Sequence, residues 1–311
     1  MPSVISSIRA GLFARLTRYY LGRFENKNDL EMHPLFSHNL NRTNYDVSII
    51  MAVGPSSPID ELLESCSLLN EQDYKDFILY LFFDGSDYTC FVNYLEKFDY
   101  PICIFSSKVN LGLGPALNFL SRKSLEAGCK YIVRSDADDY SAPSRISTLV
   151  SYLNINKSVD FVGSSYQITS NISALHNKIR KFPGTSLEAF SKSALTPIVA
   201  HATVAFRSHL FVDKLIYLDD YKIGIEDQLL WLQARLFDLR FTNIDLPLYF
   251  VRVNQSFVRR RLYFRKTLNL FFIRFLHALH PASSVYYSVL GVVLSALRLL
   301  VSIISIPFRK F

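Results

Sequence analysis

Lys130-Tyr131-Ile132-Val133-Arg134-Ser135-Asp136-Ala137-Asp138-Asp139 is the stretch from which the rest of the chain is read. Tyr131 to Val133 read as a buried strand, and Asp136, Asp138 and Asp139 stand where that strand ends. Like charges crowded into four residues cost stability unless a cation neutralises them. In open α/β sheets ligands sit outside the carboxyl ends of the strands. An oxygen-rich site for Mg2+ or Mn2+, with the metal carrying a diphosphate, accounts for the pattern. An acidic turn capping the following helix also accounts for it, because short Asp-rich turns are common.

Working outward, the β-branched run from Asp46 to Val53 reads as a strand closed by Gly54-Pro55, and 59–70 reads as a helix. Further strands are expected at Phe77 to Phe83, Ile102 to Phe105 and about 159–163, with a helix over 113–128. Strands alternating with helices at this spacing predict βαβ units and a mainly parallel sheet. From 164 to 245 the alternation weakens, and a helix across Asp227 to Leu236 is expected in a second, mixed half that supplies the other wall of a cleft.

The 311 residues are half apolar, enough for one large core plus an appendage. None of the four cysteines forms a Cys-x-x-Cys pair, and no cleavable signal peptide is evident, which fits free thiols in a reducing compartment. The net charge of +7 is unevenly spread. Residues 1–29 carry five basic and two acidic side chains, 30–245 carry 19 and 25, and 246–311 carry ten basic and none acidic. A slightly acidic body between basic, apolar ends predicts attachment to an anionic membrane surface. Nucleic acid is not the expected partner, because the basic residues are interleaved with runs of Leu, Phe, Val and Ile.

Ile5, Ile8, Leu12, Leu16 and Tyr19 form an apolar stripe at helical spacing, with Arg9, Arg15, Arg18 and Arg23 beside or opposite it. This fits either an interfacial helix whose arginines reach lipid headgroups or an amphipathic helix docked on the body. Residues 25–44 read as a linker. The segment 281–297 is uncharged but only 17 residues long, short of the roughly 20 that a span needs. Including Arg298 lengthens it at the cost of a charge inside the bilayer. Helices lying in the interface are therefore expected from 262 onward, with a buried helix pair or an oligomerisation surface as the alternative.

Seven motifs in order resemble the inverting, nucleotide-sugar-dependent glycosyltransferases of family 2, from about Asp46 to about Arg260. Val47 to Val53 is similar to the family's opening strand, whose end lies against the nucleotide base and here includes Ala52. Phe82-Phe83-Asp84-Gly85-Ser86 resembles the Asp-Asp-Gly-Ser motif, with Phe83 in place of the first Asp and Asp84 kept as the base or ribose contact. Asn110-Leu111-Gly112 resembles the Asn-x-Gly loop beside the nucleotide. Asp136-Ala137-Asp138-Asp139, trailed by Pro143 and Arg145, resembles the acidic metal motif. His201 to Arg207 resembles an acceptor-side strand, in which the histidine reads as structural. Glu226-Asp227 resembles the Glu-Asp motif. Tyr249 to Asn254 resembles the closing Tyr-Arg-x-His segment, with Asn254 where His is common.

The resemblance implies an α/β GT-A fold, Rossmann-like, with a mainly parallel central sheet flanked by helices and a helical, membrane-associated C-terminal extension. The expected division is 1–44 for the N-terminal helix and linker, 45–260 for the glycosyltransferase domain and 261–311 for the membrane-associated region. It further implies Mn2+ or Mg2+ on Asp138 and Asp139, a UDP-sugar donor contacting Ala52, Asp84, Asn110 and Asp136, and Asp227 as catalytic base in hexosyl transfer with inversion to a β linkage. The expected acceptor is a saccharide on undecaprenyl diphosphate, in O-antigen, capsule or exopolysaccharide synthesis at the cytoplasmic face of a bacterial inner membrane. Arg259, Arg260 and Arg261 are expected to meet acceptor diphosphate or headgroups. A protein or small-molecule acceptor, and a non-catalytic nucleotide-sugar-binding scaffold, are the competing readings.

Overall fold

The computed structural model describes residues 4–22, 35–42, 44–169, 175–218, 224–252 and 264–304. Most of the expected linker, Asn254 and the Arg259–Arg261 run lie outside the described residues.

In the first half, strands β1 (Phe36–His38), β2 (Val47–Val53), β3 (Phe77–Asp84), β4 (Ile102–Ser107) and β5 (Tyr131–Arg134) alternate with helices. The helices are α1 (Val4–Leu21), α2 (Ile59–Leu69), α3 (Thr89–Val92) and α4 (Leu113–Glu126). Next come β6 (Tyr140–Ser141), α5 (Arg145–Ile155), β7 (Phe161–Thr169), β8 (Leu175–Arg180), α6 (Ser186–Lys192), β9 (Ala205–Arg207) and α7 (Leu210–Asp213). The chain ends in α8 (Glu226–Leu236), β10 (Phe241–Arg252), α9 (Phe264–Leu279) and α10 (Val285–Ile304).

Among the described residues the strands form one sheet in the order β1-β4-β3-β2-β5-β9-β7-β10-β6, with β8 on β7. The block β4-β3-β2-β5 is parallel, as the alternation of elements predicts. Beyond β5 the sheet is mixed: β9 runs antiparallel to both β5 and β7, and β7 runs parallel to β10.

The parallel strands are mostly apolar because both faces are covered; all eight residues of β3 are buried, its closing Asp84 included. One face packs Leu117 and Leu120 of α4 and Leu230 and Trp231 of α8. The other packs Leu62, Cys66 and Leu69 of α2 and Ile146, Leu149 and Leu153 of α5. Cys66, Cys90, Cys103 and Cys129 are all free thiols.

The terminal helices form a third cluster on the outer side of α8. Phe13, Tyr20 and Leu21 of α1 and Ile273 and Leu276 of α9 pack on Ile225, Leu229 and Leu232. The N-terminal helix is thus docked on the body, and of the stripe read from the sequence Leu16 joins that contact. Ile8, Leu12 and Tyr19 face outward, while Phe13, Thr17 and Tyr20 are buried. Arg9, expected at lipid headgroups, instead donates to the Ala278 and His280 carbonyls at the end of α9.

Helix α10 packs along α9 and meets the body at Gly291, where an added Cβ would collide with the Ala194 carbonyl. Val285–Ile303 is long and apolar enough to cross a membrane, and only 17% of that window is buried against the protein. Gly291→Ala is expected to lower stability by about 1–3 kcal/mol in thermal or denaturant unfolding. Gly11→Ala, which adds a methyl group where nothing lies within 4 Å, should leave stability unchanged or raise it by up to about 1 kcal/mol.

Candidate active site

The predicted residues gather at the carboxyl ends of the parallel strands. Ala52 lies one residue from the end of β2, paired in register with Phe82. Asp84 ends β3 and is buried; its two carboxylate oxygens accept from the backbone N–H groups of Leu111 and Gly112, at 2.6 and 2.8 Å. Burial raises the Asp84 pKa, and these two hydrogen bonds oppose the rise. Gly85 must be glycine, because its φ of +70° is left-handed and a Cβ would strike the backbone of Asn110. The Asp84-Gly85 turn and the Asn110-Leu111-Gly112 loop are thereby clamped together. Asn110 is exposed at the mouth of this clamp. Asp84 is thus the brace that shapes the loop as well as a candidate nucleotide contact.

The acidic segment leaves β5 differently at each carboxylate. Asp136 is part-exposed and forms an ion pair with Arg134, a guanidinium only 1% exposed. The Asp136 backbone N–H donates to the Tyr249 hydroxyl at 2.8 Å. Asp139 is buried and accepts from the Arg252 N–H at 2.8 Å. Asp138 lies between them, part-exposed. Burial, followed by repulsion from Asp136 and Glu61, raises the Asp138 pKa. Burial, followed by repulsion from Asp136 and Asp138, lifts Asp139 well above the usual carboxylate range.

Among the described residues, no group of three or more His, Cys, Asp or Glu side chains is arranged to hold a metal ion. The acids do fit a partial site, because Asp138 and Asp139 are hard oxygen donors whose charges are incompletely neutralised by the protein. Mg2+ is commonly held by one or two carboxylates, with substrate phosphates and water completing its shell.

Arg145, of the Pro-x-Arg trailer, is fully buried and supports this segment from below. It donates to the Ser141 hydroxyl and to the Arg134 and Ala202 carbonyls at 2.6–2.8 Å, and lies over the Tyr249 ring at 4.4 Å. Burial brings its pKa down to about 10.

On the other side of the site, Asp227 sits in the first turn of α8, where the helix dipole favours an acid. Gln228 donates to both of its oxygens, from the backbone at 2.8 Å and from the side chain at 3.0 Å. Burial raises the Asp227 pKa, and Gln228 and Lys266 oppose that rise. His201 is part-buried beside Trp231 and hydrogen-bonds the Tyr217 hydroxyl at 3.0 Å. Burial and the Arg134 charge hold it neutral, in keeping with a structural role. Tyr217 is the meeting point: burial raises its pKa, Arg134 lowers it, and Glu226, Asp227 and Asp136 all raise it further.

Two participants, Arg134 and Tyr217, have no marked role in the sequence reading, and Tyr249 enters it only as the first residue of the closing motif. Arg134 was the legible one, since an arginine at the end of a buried strand requires a partner. Tyr249→Phe removes the acceptor for the Asp136 N–H and is expected to cost about 1–3 kcal/mol in denaturant unfolding.

The sequence profile described as glycosyl transferase family 2 matches residues 48–213, more than half of the chain. The bifunctional glycosyltransferase pgtA of Dictyostelium discoideum is 26% identical over 232 residues, which is 64% of this chain. The chain spans only 30% of that relative's length. S. aureus TarS 1–349 in complex with UDP-GlcNAc superposes with a TM-score of 0.55 at 15% identity, over 81% of this chain and 72% of that one. The mannosyltransferase PcManGT from Pyrobaculum calidifontis, in complex with GDP-Man and Mn2+, gives a TM-score of 0.55 at 15% identity, over 97% and 88%. These two likenesses establish the GT-A fold. With its parallel block, its acids at the strand ends and the family profile across that block, the chain belongs to glycosyl transferase family 2.

Proposed function

We propose that the chain is an inverting hexosyltransferase that moves a sugar from a UDP-sugar to a saccharide carried on a lipid diphosphate of the undecaprenyl type. The product is a β-linked step in O-antigen, capsule or exopolysaccharide synthesis. The observation that carries this reading is the family profile over 48–213 laid on a parallel block whose strand ends hold the Asp84 clamp and the Asp136–Asp139 acids; the electrostatic influence of both Asp136 and Asp227 on the buried Tyr217 phenol is in keeping with it. A donor seated on the strand ends would then have the base within the same basin as its diphosphate.

Each residue has a distinct task in this reading. Asp84 holds the 110–112 loop in the shape that receives the nucleoside, beside Ala52 and Asn110. Asp136, fixed on Arg134, orients donor hydroxyls. Asp138 and Asp139 would hold Mg2+ or Mn2+, which when bound would neutralise charge growing on the departing diphosphate. Asp227 accepts the proton of the acceptor hydroxyl as that oxygen bonds to the anomeric carbon from the face opposite the leaving group. The carbon–oxygen bond to the diphosphate breaks, and its electron pair leaves with UDP. Burial raises the Asp227 pKa, which favours proton acceptance only as long as the carboxylate stays ionised; general-base assistance of this kind is typically worth about 10²–10⁴-fold.

The lipid-linked acceptor is inferred from the ends of the chain. Helix α10 turns Val289, Val293, Leu297 and Leu300 outward, α9 exposes Phe272 and Phe275, and α1 exposes Ile8, Leu12 and Tyr19. No acidic residue occurs from 246 to 311, so these apolar faces sit among cations suited to anionic lipid. The cytoplasmic face of a bacterial inner membrane would bring such a surface and a lipid-diphosphate acceptor together.

A UDP-sugar panel with Mn2+ and synthetic lipid-diphosphate N-acetylhexosamine acceptors tests the chemistry. Asp227→Asn is expected to reduce transfer at least about 100-fold while nucleotide binding persists, and Asp138→Ala should abolish metal-dependent UDP binding in calorimetry. Transfer retained by Asp227→Asn would remove the base assignment; turnover that needs no lipid carrier would favour a protein or small-molecule acceptor. For the membrane, replacing Val293, Leu297 and Leu300 together by serine should weaken flotation with anionic vesicles at least about tenfold. Undiminished flotation would take α10 out of the membrane contact.

A further inference from the structure

Helix α9 lies against α8, the helix that begins at Glu226 and Asp227, and the first turn of α9 contains basic residues but no acid. Arg265 and Lys266 there have the unfavourable sign for a helix start, because the N-terminal end of the helix dipole is positive and prefers carboxylates. Helix stability therefore gives no reason for a lysine at 266. Lys266 is half-buried and reaches back to the turn ahead of α8, with its ammonium 3.3 Å from where a Cβ on Gly224 would stand. Gly224 has a left-handed φ of +64°, so backbone alone occupies that side of the turn. Any side chain at 224 would press on the ammonium.

We propose, building on the reading of Asp227 as the base, that Lys266 is a positioning residue for the proton-transfer step. From α9 it presents a positive charge to the Gly224–Asp227 turn and holds the Asp227 carboxylate in its ionised, proton-accepting form. Burial alone favours the protonated carboxyl, which is useless as a base; the ammonium and the two Gln228 hydrogen bonds oppose it. Among the described residues, the other groups around this junction do not replace Lys266. Glu226 adds like charge on the same helix. Tyr217 is a neutral phenol, and Arg134 and Asp136 beyond it are paired with each other. Helix α1, also against α8, contributes apolar Phe13 and Leu21 and a Tyr20 hydroxyl that donates to Asn269, while its Arg15 and Arg18 are exposed. Asp219, Asp220 and Lys222 lie outside the described residues. The terminal helical region thus supplies a working part of the catalytic base as well as a surface.

Carboxyl 13C NMR titration of the full chain labelled at aspartate tests this without any ligand. Asp227→Asn identifies the Asp227 resonance by its loss. Lys266→Met is expected to raise the Asp227 midpoint, and Lys266→Arg to leave it in place. Lys266→Gln serves as the second neutral variant if Lys266→Met does not fold. An unchanged midpoint in a folded neutral variant overturns the proposal, whatever Asp227→Asn does to transfer. A shifted midpoint in a chain whose Asp227→Asn form still transfers sugar would overturn the base assignment instead, and the catalytic role of Lys266 with it.

Discussion

A guanidinium buried at the end of a β-strand has to be compensated, and much of the site is arranged around that requirement. Arg134 is compensated by Asp136, which ties the first of the three acids down before any substrate arrives. Breaking a buried pair by removing one partner typically costs about 3–5 kcal/mol, less where solvent reaches one side, as it does at Asp136. Burial pulls the Arg134 pKa down, but Asp136, Tyr217 and Tyr249 push it up, and the net shift is upward. The three carboxylates are therefore unequal. One is already neutralised by the protein; Asp138 and Asp139 remain as strained acids whose charge nothing in the fold fully offsets. Arg145 and Tyr249 keep the segment from relaxing, since their hydrogen bonds hold the backbone on either side of Arg134 and Asp136.

Helix α8 links this centre to the ends of the chain. Its inner side, with Leu230, Trp231 and Ala234, completes the core under the sheet, and Trp231 stacks on Phe161 at 5.6 Å. Its outer side, with Leu229 and Leu232, is covered by α1 and α9. Asp227 stands at the head of a helix gripped on both sides, so its position depends on residues more than 200 positions away at the N-terminus as well as on the neighbouring strands.

The sequence made the parallel block legible because strands buried on both faces are predominantly apolar, and because Gly and Asp punctuate their ends. It made Asp84, Asp136 and Asp227 visible as acids beside apolar runs. It did not show that both oxygens of Asp84 are taken by backbone amides, because that contact depends on a loop 27 residues later. Tyr249 and Lys266 were hidden for the same reason: one meets a residue 113 positions earlier, the other a glycine in a separate segment. The stripe on α1 left two orientations open because that helix is apolar on two faces: Phe13, Tyr20 and Leu21 dock on the body while Ile8, Leu12 and Tyr19 face outward. Periodicity reports that a face is apolar; it does not say whether protein or solvent covers it. His201, expected in a strand, lies instead in a 3-10 turn ahead of β9, where its ring hydrogen-bonds the Tyr217 hydroxyl.

Helix α10 has its polarity turned inside out. Ser288, Ser295 and Ser302, spaced seven residues apart, point toward the protein with Gly291 among them, while the aliphatic side chains point away. In water such a helix hides the groups that water would welcome and displays those it rejects. Extracted from cells without lipid or detergent, chains built this way would be expected to shelter their outer helices against one another, so amphiphile belongs in the buffer from the first step of purification.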